Sequence, residues 1–154
     1  MVGVLTAIVF SSLIGMVFEV NPDIPELSSR TVVSLGDVVL ALSAGSAAAF
    51  SFASGLFGAL IGVMVAVALL PPLVTLGMLL GSGQWNLAFG SLLLFLINLI
   101  CVNLAGVVTF LAQGIRPLTW WEANRAKRAT RIAIFIWAGL LFALVIFIFL
   151  SQRT

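Results

Sequence analysis

Two adjacent prolines, Pro71 and Pro72, sit near the middle of an apolar run from Leu56 to Gly83. The run is long enough to cross a bilayer, which takes about 20 residues of helix, and the prolines limit how it can do so. Proline lacks an N–H, and its ring clashes with the preceding turn. The carbonyls four residues back, on Val67 and Ala68, therefore lose their helical partners. In hydrocarbon an unsatisfied backbone group is expensive. The sequence thus predicts a helix kinked or broken at Pro71-Pro72, with the freed carbonyls turned toward protein or water. Gly58 and Gly62 precede the break, and Gly77 and Gly81 follow it. Small residues at this four-residue spacing let helices approach closely, so all four glycines are expected to serve helix packing.

Composition sets the class. Charged residues make up 8% of the chain and apolar residues 62%, with a mean hydropathy of +1.28. That charge content is far below the roughly 25% of soluble domains. A β-barrel would alternate polar and apolar residues over segments of about 10 residues, and these long apolar runs do not. The expected fold is all-α: one transmembrane domain over 1–154, with about five helices at 2–20, 35–54, 56–80, 87–112 and 120–150. The first is too long for the apolar core of a signal peptide, about 7–15 residues, and is read as a retained helix.

Polar residues are few enough to take one by one. Pro22 and Pro25 end the first helix, and the following loop carries Asp23, Glu26 and Arg30. Ser34 and Asp37 form a capping pattern at the start of the second helix. That helix is rich in Ala, Ser and Gly, which predicts an interior place against the proline-bearing helix. Glu26, Arg30 and Asp37 form a polar cluster expected near the external surface, where Asp37 reads either as a cap or as an intramembrane acid with a function. In the fourth helix Asn98 and Asn103 lie about 140° apart on an ideal helix, so they flank a cavity or face different neighbours. Pro71, Pro72, Thr75, Asn98 and Asn103 are the candidates for a solute path. The competing reading of the prolines is a kink healed by water or hydroxyls. That of the asparagines is a plain interhelical hydrogen bond, about 0.6 kcal/mol in membranes.

Five of the seven basic residues lie between the fourth and fifth membrane helices. The positive-inside rule puts that loop in the cytoplasm. Tracing back, the N-terminus is cytoplasmic and the Asp23–Arg30 loop external, in a multi-pass protein of the cell membrane. The helix after that loop is expected to open with a capping box, Thr119 to Glu122. Its first turns carry Arg125, Lys127, Arg128 and Arg131, which suit anionic lipid headgroups as well as setting topology.

Other chemistry finds little purchase. There is no histidine, and the lone Cys101 sits in an apolar run, so neither a cysteine-based metal site nor a disulfide is expected. No glycine-rich phosphate loop is present. The reading is not an enzyme, with no cofactor and no nucleic-acid partner.

The stretch Glu26-Leu-Ser-Ser-Arg30-Thr31, then Asp37 with its Ala/Gly/Ser helix, Val65 to Gly106 with its A-L-L-P-P-L and F-L-I-N-L elements, and Ile115-Arg116-Pro117 together resemble the family called domain of unknown function 389. The resemblance covers about Val20 to Pro117. It implies a membrane fold and solute transport as one role, with no established biochemistry. It also implies an upstream hydrophobic hairpin that would lie before this sequence. The missing half, supplied by another chain, would make a homo-oligomer. Two functions remain open on sequence: a transporter or channel for a small solute or ion, and a non-transporting scaffold or anchor assembled through small-residue helices.

Overall fold

The structure is a computed structural model describing residues 2–55, 58–114 and 120–151, without the side chains at 58–61, 64, 120–128, 130, 147, 148, 150 and 151. Six helices follow one another: α1 (Val2–Val17), α2 (Pro25–Ser28), α3 (Leu35–Ala53), α4 (Gly58–Gly81), α5 (Trp85–Ala112) and α6 (Trp120–Ser151). Among the described residues there is no strand. Among the described residues two helices, α3 and α5, are long and apolar enough to cross a membrane. Val2–Val17, Val65–Gly81 and Arg131–Ile146 are shorter apolar helical stretches.

Residue contacts fix the directions. Ile8 and Ser11 of α1 lie at the level of Gly77, and Ser12 and Met16 at the level of Gly81, so α1 and α4 run parallel. Gln84 then turns the chain, and Asn98 of α5 reaches back to Ala68, so α5 returns antiparallel to α4. Ala41 packs with Ile97 and Cys101, Gly45 with Val102 and Ala105, and Phe52 edge-on against Phe110 at 5.8 Å. α3 therefore runs parallel to α5. Leu141 and Leu144 of α6 cover the Ala41–Ile97–Cys101 cluster. The bundle is thus two hairpins, α1–α3 and α4–α5, laid like against like, with α6 on one side. The turns that close α3 and α4 each hold a glycine at positive φ, Gly55 (73°) and Gly83 (77°), a conformation that side chains rarely adopt.

Close packing comes from small residues, as the sequence predicts for Gly77 and Gly81. A methyl group on Gly77 would strike the Ser11 hydroxyl, and one on Gly81 the Ser12 carbonyl. Gly15 is likewise pressed against the Met78 carbonyl. Gly62 differs from them: among the described residues nothing lies within 4 Å of its missing Cβ. The surroundings of Gly58 lie outside the described residues. Apolar side chains coat the outside as well as the core: Phe10, Phe50, Val67 and Phe135 are each more than three-fifths exposed.

The prolines do not break α4. The helix runs without interruption from Gly58 to Gly81 with both prolines inside it, contrary to the broken segment expected from sequence. The interrupted element is elsewhere. α5 continues well beyond the level at which α3 begins, and the chain from Val20 to Ser34 fills the difference. It leaves α1 level with Gln84, whose amide donates to the Val20 carbonyl. It passes Gly90 at Thr31, and delivers the start of α3 to the level of Ile97. Only the short α2 is helical within it.

Candidate functional site

The descent of residues 20–34 decides where the polar residues meet. Asp37 accepts from the Ser34 N–H at 2.8 Å and from the Ser34 hydroxyl at 2.8 Å. Its own N–H donates to the Ser34 oxygen at 3.3 Å. This reciprocal capping box satisfies backbone donors at the α3 start and adds an anion where the helix dipole favours one. The cap is the one the sequence predicts. Its neighbours are ones the sequence does not join to it: Asp37 lies with Asn98 and Ala68 around a cavity of about 270 Å³. Asn98 lies about 20 Å along α5 from Trp85 at the usual helical rise.

Asn98 heals one of the two wounds that proline opens. Its amide nitrogen donates to the Ala68 carbonyl at 2.9 Å, the group that Pro72, four residues on, cannot serve. This bond supplies at Ala68 the donor that Pro72 lacks, and it merges two candidates that the sequence keeps apart. Pro71 has no N–H for Val67, and Val67 lines the same cavity beside Ala68, Asn98, Asp37 and Arg30.

A second, wider cavity of about 700 Å³ opens on the other side of the proline step. It is lined by Glu26, Arg30, Pro71 and Thr75 among others. Arg30 lines both cavities. No ion pair joins it to Asp37 among the described residues. Thr75 is 5% exposed. Of the sequence candidates, Glu26, Arg30, Asp37, Pro71, Thr75 and Asn98 thus come together. Asn103 does not join them: its amide donates to the Leu99 carbonyl of its own helix at 2.7 Å, as the angular separation from Asn98 allows. Arg131 is exposed on α6. The side chains of Arg125, Lys127 and Arg128, and the capping box at Thr119, lie outside the described residues. The sequence reading missed Val67 and Ala44 as lining residues. The freed Val67 carbonyl was the available signal for the first, while Ala44 carried none.

Comparison with known proteins assigns the fold to a family. The profile described as "Domain of unknown function (DUF389)" matches residues 1–104. The chain belongs to the DUF389 family. The match takes in α1 to α5 as far as Leu104, and so includes every residue of the two cavities. This DUF389 chain is also 39% identical, over 141 residues, to the uncharacterized protein MJ0678 of Methanocaldococcus jannaschii. That alignment covers 92% of the chain and 44% of the relative, so the chain spans less than half the length of the curated protein it matches. No solved structure matches.

Proposed function

We propose that the chain is a multi-pass membrane domain, with α1, α3, α4, α5 and α6 crossing the bilayer, that binds and passes a small polar solute or ion. One observation carries the reading. Arg30, Asp37 and Asn98 line one cavity with Val67 and Ala68 of the proline step, in a bundle whose outer face is apolar and with Leu40 and Val67 exposed at its rim. Ionisable side chains within a membrane bundle are expensive and are characteristic of solute pathways. Irregular backbone at depth is tolerated where it is packed in protein or lines a cavity. Here the irregular element is the Val20–Ser34 segment. α3, at 19 residues, is long enough to cross by itself, so its capped N-terminus opens the cavity toward the external side. The wider cavity beside Glu26 and Thr75 serves as the entry from the external side. The domain works without a cofactor and without enzymatic chemistry, in a homo-oligomer, with the basic start of α6 on cytoplasmic anionic lipid.

The scaffold reading has its own support: the Asn98–Ala68 bond satisfies part of the proline step in a purely structural way. Reconstitution separates the two. Liposomes bearing the parent chain should show flux of a small ion or organic acid, and Asp37→Asn should reduce it. A parent without flux for anions, cations or organic acids, yet correctly assembled, favours the scaffold.

A further inference from the structure

Both cavities at the proline step open on the outer face of the bundle. Leu40 and Val67 at the rim of the smaller one are exposed, and so are Leu70 and Val74 at the rim of the wider one. Two charged residues, Glu26 and Arg30, lie in the wider groove. They are four residues apart, but α2 ends at Ser28, so they do not share a helical face as such a pair would. Neither side chain has an ion pair or a hydrogen bond among the described residues. Exposed apolar side chains continue on both sides of this level. Met16 and Val17 lie toward one end, beside Gly81, and Phe50 and Phe52 toward the other, at Phe110. In a bilayer the groove would therefore set an unpaired arginine and an unpaired carboxylate against hydrocarbon, where ionisable groups are expensive and pair or face protein.

We propose that a second copy of this chain covers this face, with α4 and the α2 segment of one copy packed against those of the other and Arg30 of each copy paired to Glu26 of the other. Copies inserted in the same sense are related by a two-fold axis along the bilayer normal, and across such an axis every contact between two different residues occurs twice. A groove that carries one cation and one anion a turn apart is self-complementary under that axis, since each arginine meets the opposite carboxylate. Val67, Leu70 and Val74, exposed and spaced by three and four residues along α4, supply the apolar contact around the two pairs. Lipid tails offer no partner to either charge. The second copy also completes the proposed solute site. Leu40 and Val67 then face protein, which closes the smaller cavity sideways and leaves it open along the helix axis. Arg30 lines both cavities, so pairing it across the interface fixes the wall between them.

The inference rests on the reading of the bundle as membrane-spanning and does not need a solute to pass. In the Cys101→Ala protein in native membranes, Leu70→Cys should form a cross-linked dimer with a short bifunctional thiosulfonate. Phe135→Cys, at a position 77% exposed on α6, should not. Two charge variants test the pairing. Arg30→Glu and Glu26→Arg each set like charges together in both contacts, so either alone, reconstituted at high lipid-to-protein ratio, should dimerise about tenfold or more weakly than the parent. Mixed in equal amounts under different tags, the two variants regain opposite charges in both contacts and should dimerise nearly as well as the parent. Cross-linking at position 135 and none at position 70 overturns the proposal, as does a parent that stays monomeric in lipid. So does a folded Arg30→Glu protein that dimerises like the parent, or a mixture of folded variants that does not recover. The Leu70→Cys experiment leaves both charges in place and decides the matter however the charge variants fold. Dimers without flux uphold the interface and defeat the transport reading, whereas flux from monomers upholds transport and overturns the interface. Release of the chain from membranes by alkaline carbonate defeats the membrane reading and the interface with it.

Discussion

At the residue scale, Asn98 and Pro72 act as one unit. The asparagine supplies the donor that the proline lacks, to the same Ala68 carbonyl. Removing it strands that carbonyl, so Asn98→Leu should destabilise the fold by about 1–3 kcal/mol, the usual cost of an unsatisfied buried group. Pro72→Ala restores an N–H four residues on from Ala68. In that background Asn98→Leu should cost far less, and the double-mutant cycle should give a coupling of about 1–2 kcal/mol. The single cysteine makes the measurement simple. Cys101 is fully buried, so a thiol-reactive fluorogenic dye reports unfolding directly. Additive effects of the two substitutions would mean that the bond does not heal the proline step. Both residues stood out in the sequence, because an amide and a proline pair are conspicuous in apolar text. Their pairing was not legible, since nothing in one helix states which turn of another will face it.

At the element scale, the parallel contact of α1 and α4 depends on surfaces with almost no side chain. Gly15, Gly77 and Gly81 each lie where a Cβ would meet backbone or a hydroxyl of the other helix. Gly81→Leu should therefore force α1 away and lower stability by about 1–3 kcal/mol or more, as overpacking does. Gly62→Leu should leave the unfolding temperature of the dispersed protomer unchanged, because among the described residues nothing lies within 4 Å of its missing Cβ. Equal losses at both positions would contradict this assignment. The repeated glycine spacing announced tight helix packing in both places, but spacing alone could not say which pair has a partner within the chain. The helices themselves were legible to within a few residues. The unbroken course of α4 was not: the donor at its Ala68 carbonyl comes from α5.

At the scale of the whole molecule, the central feature is that the interruption belongs to the first hairpin. Sequence placed a discontinuity where the prolines are, whereas the bundle puts it between α1 and α3, where Val20–Ser34 descends. That segment reads as an ordinary polar loop, because its own residues carry no signal of where α3 will start against α5. Only the register of α3 against α5, set by Ala41, Gly45 and Phe52, reveals it. The proposed topology rests on the basic residues: with Cys101 replaced by Ala, a cysteine at position 127 should label from the cytoplasmic side and one at position 23 from outside. The opposite result at both would invert the topology. The most direct measurement asks where Asp37 lies. In the Cys101→Ala protein in lipid, Asp37→Cys should be joined by a short bifunctional thiosulfonate to Ala68→Cys, which lines the same cavity and leaves Asn98 and its bond in place. It should not be joined to Trp85→Cys, at the far end of α5. Cross-linking to position 85 and none to position 68 would move Asp37 to the Trp85 end of α5 and remove the cavity on which the proposed function rests.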